Sequence, residues 1–576
     1  MSGPTVLSLG VHADRVRARL ADLVRARVVE QTWSRDTSLW ATTPEAARAV
    51  ANRLGWLDAP LAAEPSRAEF ETFAARVRAD GFVHVMLLGM GGSSLCPEVL
   101  RRTFPPANGS PSLTVLDSTD PVTVLAAQRA APLPRTLFVV STKSGTTIET
   151  VSLLRYFWEV CETARPAGAA AAFVAVTDPG TPLDREARER GWRHVFSGPP
   201  DVGGRYSALT PFGLLPAALL GVDLGKLIGR AGRMRESCRA RGEENPGLVL
   251  GAALAELARA GRDKVTFVVD PPLASFGLWA EQLLAESLGK EGKGLVPVAG
   301  EPLGGPDVYG QDRLFVHLGM HGARGPDGER LRRLEAAGHP VIRIALDDAY
   351  DLGAEFFRWE FATAVAAVDL GVNAFDEPNV GESKENTGRV LAAYQATDRS
   401  ERETPCAQAR GVRLCGPPGL PPRPGGAGGE EELIGLLRQW LDAIPAGHYL
   451  AVQAYLPLDE RTEARLERIR ARLRDRQRLA VTLGFGPRYL HSTGQLHKGG
   501  PPTGAFLQIT ADTPAELPVP GAGFGFEQLI RAQALGDARS LAGRNLPVLR
   551  LQLTVDGDLG AVEEWLERLT AIRGAP

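Results

Sequence analysis

The chain has 576 residues, 44% apolar and 23% charged, with a formal net charge of -3; it is too long for one ordinary domain and has the composition of a globular protein. The small net charge and the lack of a long basic run argue against a nucleic-acid partner. Five scattered cysteines without zinc-ligand or disulfide-framework spacing, no apolar run near the roughly 20 residues that span a bilayer, and no secretory leader pattern predict a soluble cytoplasmic protein with no metal and no membrane partner.

Residues 12–33 alternate apolar and charged positions at helical spacing, which predicts one amphipathic helix. A second follows from Ala46 to Leu54, so residues 1–66 read as an N-terminal helical arm. From about residue 67 the pattern becomes strand and helix in alternation. Strands are expected at Val83–Leu88, Leu113–Leu116, Leu137–Val140 and Ala171–Val176. That alternation predicts a parallel sheet with ligands outside the carboxyl ends of its strands. A second block runs over 236–398. It has a strand at Lys264–Val269, a helix from Ser275 to Lys290, a strand at Val341–Ile344 and a helix from Leu352 to Leu370. Residues 399–430 are rich in Pro and Gly and predict a mobile surface insertion. A C-terminal α/β portion, 431–576, resumes the alternation and carries the Gly-rich stretch Tyr489–Gly500, which reads as a loop. No short tandem repeat is visible, although the two βα blocks are compatible with a diverged duplication.

The densest chemical signal is Ser141-Thr142-Lys143-Ser144-Gly145-Thr146-Thr147 between a strand and a helix. Hydroxyls, a lysine and backbone N–H groups at a helix start make an anion site, and a sugar phosphate fits it. A plain helix cap would need only one or two of these hydroxyls. Gly89-Met90-Gly91-Gly92-Ser93-Ser94 stands at the end of the first strand. Its glycines invite a dinucleotide reading, with Asp117 beyond the next strand, but the third glycine position is Ser94 and the motif alone is weak. Gln282 and Glu286, one turn apart on a predicted helix, share a face where a carboxylate could move a proton between carbons; a solvated helical Glu is the alternative. Arg205, after two glycines, could neutralise an oxyanion or simply pair with a carboxylate. His491 and Lys498 in the Gly-rich stretch could give a proton to a ring oxygen or hold an anion.

In this order along the chain, these segments together resemble the phosphoglucose isomerase family, and in length the isomerase half of transaldolase–isomerase fusions. The resemblance implies an α/β fold of two sugar-isomerase domains (67–235 and 236–398), each a doubly wound, mainly parallel sheet. It also implies reversible interconversion of glucose 6-phosphate and fructose 6-phosphate through an enediol(ate), without a cofactor, in a homodimer. Carried over, Gly92, Ser93, Thr142, Ser144 and Thr147 hold the phosphate, with Lys143 and Thr146 beside them. Glu286 is the proton shuttle, Arg205 stabilises the enediolate, Gln282 binds sugar hydroxyls and Lys498 assists ring opening. Two positions depart from the family pattern. Its Gln-His appears as Gln311-Asp312, and its glutamine seven residues before the lysine is His491. Ring opening is therefore open between Asp312, His491 and Lys498. Broader action on mannose 6-phosphate, a non-catalytic sugar-phosphate sensor and a nicotinamide enzyme remain the alternatives.

Overall fold

The apolar runs of the sequence become the strands of three sheets. The computed structural model describes residues 5–166, 168–322, 327–397, 404–415, 428–513 and 516–571. The chain opens on β1 (Thr5–Ser8), so the N-terminal arm is not wholly helical. The helix expected over 12–33 is two helices, Ala13–Arg25 and Val28–Trp33, because Arg27 adopts left-handed backbone with φ +57°. The first sheet holds β2 (His84–Gly89), β3 (Ser112–Leu116), β4 (Thr136–Ser141), β5 (Phe173–Thr177) and β6 (His194–Ser197). Its order is β3-β2-β4-β5-β6 and every pair is parallel. Strands β2, β4 and β5 are buried along their full length. Burial on both faces is why they read as unbroken apolar runs.

The second sheet adds β7 (Lys264–Val269), β8 (Val296–Val298), β9 (Arg313–Met320) and β10 (Val341–Leu346) in the order β1-β10-β9-β7-β8. Only β1 runs antiparallel, so the first residues of the chain finish the edge of the second sheet. A single apolar core runs through the arm and both of these sheets. Trp56 of the arm packs against Tyr206 and Phe357, with ring centroids at 5.2 and 5.7 Å, fixing the turn that carries Arg205.

The C-terminal portion is a third α/β unit with its own core. Its strands are β11 (Ala407–Ala409), β12 (Val412–Cys415), β13 (Tyr449–Tyr455), β14 (Ala480–Phe485), β15 (Gly504–Ala511) and β16 (Val548–Leu553). The order is β11-β12-β16-β15-β13-β14, with β13 to β16 parallel and β11–β12 an antiparallel hairpin on the edge. Of the stretch 399–430, Ala407–Ala409 and Val412–Cys415 form this hairpin and cap a sheet edge, while 399–403 and 416–427 lie outside the described residues. Pairing there removes an exposed edge, which is a physical reason to keep the segment. No helix among the described residues is long and apolar enough to cross a membrane.

Candidate active site

The first wall of the site is made by close approach of two glycine turns. Gly91 has φ +55°, and a Cβ there would lie 3.0 Å from Gln282 Nε2 and 3.1 Å from the His491 carbonyl oxygen. A Cβ on Gly92 would lie 1.9 Å from the Gly204 carbonyl, so only glycine lets this turn meet the Gly203–Tyr206 turn. The close fit brings buried Ser93 and Arg205 into one place.

Beside it, the hydroxyl run turns from β4 into the helix Ile148–Ala164. Thr142 and Thr147 hydroxyls are 3.0 Å apart, as are those of Ser144 and Thr146, and the Thr146 N–H donates to Ser144 Oγ at 3.3 Å. Thr147 occupies the N-cap position, yet its side chain accepts no capping hydrogen bond. Capping therefore does not explain the run, and the first-turn N–H groups keep the positive end of the helix available to an anion. Lys143 is directed differently from the expectation. Its ammonium donates to both Asp178 oxygens, at 2.6 and 2.8 Å, and to the Pro199 carbonyl at 2.9 Å, which anchors the back of the loop.

Glu286 stands in the last turn of the helix Phe276–Leu288, whose Gln282 meets the Gly91 turn. Gln282 Nε2 donates to Glu286 Oε2 at 3.0 Å and to the His491 carbonyl at 2.9 Å, while its Oε1 is buried without a partner. The Arg205 guanidinium lies 3.7 Å from Glu286 Oε1. It donates to Ser287 Oγ, Glu377 Oε2 and the carbonyls of Ala374 and Asp376, all within 2.9 Å. Lys290 braces the same turn by donating to Asp376 Oδ1 at 2.7 Å.

The two carboxyls flanking Arg205 are pushed in opposite directions. Burial raises the proton affinity of Glu286, against the pull of Arg205. Burial acts the same way on Glu377, but Arg205, by charge and direct hydrogen bond, outweighs it and holds that carboxyl below its ordinary range. Such splitting separates a proton acceptor from a permanent counter-ion. Glu377 was not singled out in the sequence, since the polar, Pro-interrupted stretch 373–379 carries no periodic signal.

His491 lies at the site, its Nε2 2.9 Å from Glu149 Oε1 in the first turn of the phosphate-loop helix. Glu149 lies two residues beyond the hydroxyl run, and nothing in the sequence points to its partner 342 residues away. The stretch expected as a loop is a 3₁₀ turn, Arg488–His491, and a short helix, Gly494–Gly499. Lys498, on that helix, points away into the third unit. Its ammonium bonds Asp537 Oδ1 at 2.6 Å, and Asp537 also accepts from Tyr489 and Gln453. A buried ion pair thus holds the lysine to which the family resemblance gives a share in ring opening. Replacing Lys498 by Met should leave Asp537 buried with its charge uncompensated, costing about 3–5 kcal/mol and lowering the melting temperature. If melting is unchanged while kcat collapses, the lysine acts on substrate after all.

Asp312 likewise faces a lysine. It lies 3.6 Å from Lys264 Nζ, next to Gln311, which bonds Arg262. The third unit packs on this segment through Lys264 to the Gly447 carbonyl and Arg313 to the Leu479 carbonyl, at 2.9 and 3.1 Å. Its environment is thus an inter-unit contact rather than the Glu286 cluster.

A hydroxyl-rich helix start at the carboxyl end of a parallel sheet, together with a buried carboxylate beside a fixed guanidinium, is the equipment for proton transfer on a phosphorylated substrate. Residues 71–295 match the phosphoglucose isomerase family profile. The chain is 33% identical over 383 residues to a glucose-6-phosphate isomerase of Rubrobacter xylanophilus, covering 58% of this chain and 88% of that protein. It is 31% identical over 397 residues to the enzyme of that name from Carboxydothermus hydrogenoformans, covering 59% and 85%. A solved hypothetical protein of Thermus thermophilus superposes with TM-score 0.53 and 26% identity, over 68% of this chain and all of that one. The chain belongs to the phosphoglucose isomerase family.

Proposed function

We propose that the chain interconverts glucose 6-phosphate and fructose 6-phosphate by proton transfer between C1 and C2. The observation that carries this reading is Glu286: a buried carboxyl of raised proton affinity, oriented by Gln282 and facing an Arg205 whose other donors are already engaged.

Ser93, Thr142, Ser144, Thr146 and Thr147 hold the phosphate, and Gly92 provides the close approach. His491 opens the ring. With Glu149 ionised, Nε2 carries a proton toward the carboxylate, so Nδ1 is the nitrogen that exchanges a proton with the sugar. Starting from the aldose, Glu286 takes the C2 proton and the electron pair of that C–H bond forms the C1–C2 double bond. The carbonyl oxygen takes up the negative charge beside Arg205. The hydroxyl proton of O2 then passes to O1, the negative charge on O2 re-forms as the C2 carbonyl, and the C1–C2 double-bond pair takes the proton back from Glu286 at C1, giving the ketose. Gln282, through its unpaired Oε1, holds a sugar hydroxyl. A homodimer and a cytoplasmic location accompany this reading on the strength of the family resemblance. All the site residues named come from one chain.

The test is a coupled assay of fructose 6-phosphate conversion with wild type, His491→Asn and Asp312→Asn. Wild type should turn over. His491→Asn should lose about 100-fold in kcat, the scale of a positioned acid–base group, and Asp312→Asn should stay within about twofold in kcat, because Asp312 faces Lys264. Folded wild type silent on this sugar phosphate would remove the reading.

A further inference from the structure

The third unit does more than deliver His491. Gln533, on the helix Phe526–Ala542 of that unit, is 2% exposed. Its Nε2 donates to Glu149 Oε1 at 2.7 Å, and its Oε1 accepts from the Thr119 hydroxyl at 2.7 Å. Thr119 is fully buried in the turn after β3. The chain of contacts is therefore Thr119, Gln533, Glu149, His491, with the last step 2.9 Å long.

We propose, building on the isomerase reading, that Gln533 is a positioning residue for ring opening, fixed by Thr119 and acting on His491 through Glu149. The amide has only one satisfactory orientation. Reversed, it would present its oxygen to the Glu149 carboxylate and leave two acceptors facing each other without a proton. The Thr119 hydroxyl satisfies the amide oxygen, so Gln533 can act only as a donor toward Glu149. The same carboxylate oxygen then meets both the Gln533 N–H and the His491 ring. That holds the imidazole in one plane and keeps its proton on Nε2. Because these groups are buried, each bond is made in a low-dielectric setting where leaving it unmade is costly. Glu149 lies two residues beyond Thr147, so the relay ties the third unit to the phosphate loop as well as to the histidine.

The role is separable from mere packing. Gln533→Met keeps the shape and removes both hydrogen bonds. Thr119→Val removes only the hydroxyl, and Thr119→Ser keeps it. The anomer interconversion of glucose 6-phosphate, followed by NMR, reads ring opening. The fraction of C2 deuterium delivered to C1 rather than lost to solvent reads the Glu286 step. Gln533→Met should slow anomer interconversion and kcat by about tenfold, the scale of a misaligned reacting group, with KM and the deuterium fraction unchanged. Thr119→Val should move the same way and Thr119→Ser should restore the rate. The double variant Thr119→Val/Gln533→Met should be no worse than Gln533→Met, since coupled groups do not add. A Gln533→Met enzyme within twofold of wild type overturns the proposal; so do losses that multiply in the double variant, or a deuterium fraction that drops with the rate. If Gln533→Met melts early, the two Thr119 variants decide alone. A wild type without isomerase activity would instead defeat the underlying reading.

Discussion

Glu286→Gln is expected to abolish isomerisation while leaving the protein folded and able to bind sugar phosphate. Gln is nearly isosteric, and its carboxamide oxygen can still face Gln282 or Arg205, so neither turn of the site loses its packing. What disappears is the proton acceptor. Positioned acid–base groups contribute about 10²–10⁴-fold, and here one carboxyl serves both the C1 and the C2 transfers, so the loss should lie toward the upper end. KM should change little, because the phosphate loop is untouched. The decisive readout is exchange of the C2 proton of glucose 6-phosphate with deuterated solvent, which must fall with kcat. Exchange that survives in Glu286→Gln would place the base elsewhere. The wild-type pH profile carries the same information. Burial first, and Glu377 in addition, raise the proton affinity of Glu286, while Arg205 opposes them. The base works only when ionised, so the acid limb of kcat/KM should appear at higher pH than an ordinary glutamate gives.

Much of this site can be read from the sequence because its elements are local. The strand, hydroxyl run and helix at 137–158 are contiguous, and Gln282 and Glu286 are neighbours through helix geometry alone. The two glycine turns also declare themselves, since close backbone contact demands residues without Cβ. The rest depends on pairs far apart in the chain. His491 and Lys498 are seven positions apart in one Gly-rich stretch, and both look equally available. Folding sends His491 to Glu149 of the first unit and Lys498 to Asp537 of its own. Composition does not announce that choice. Local glycine content also misled over Tyr489–Gly500, where short helical turns packed against the Glu286 helix win over loop propensity. Gly289 shows how tightly: a Cβ there would lie 2.6 Å from the Leu496 Cα. Likewise β1 is too short for a periodic signal, and it exists because β10 offers an open edge.

Arg205→Met should be the most damaging single change in stability and activity together. The guanidinium satisfies Ser287, Glu377 and two backbone carbonyls while facing Glu286. Removing it strands these acceptors in a buried site at a cost of about 3–5 kcal/mol. It also takes away the charge that stabilises the enediolate, a loss of about 10²–10³ in kcat by comparison with other oxyanion donors. Lysine is no substitute, since one ammonium cannot reach the same acceptors in the fork geometry of arginine. Arg205→Lys should therefore recover part of the activity and less of the stability. The pH dependence separates the electrostatic effect from simple unfolding. Without the cation, burial and mutual repulsion raise the proton affinity of both Glu286 and Glu377. Carboxyls raised in the folded state stabilise it below their folded pKa, and that contribution is lost as pH rises through it. The melting deficit of Arg205→Met relative to wild type should therefore widen toward alkaline pH and narrow toward acid, and the acid limb of its residual activity should move up. A deficit constant across pH would mean that Arg205 contributes through packing and its carbonyl contacts, leaving the enediolate to be stabilised by other donors.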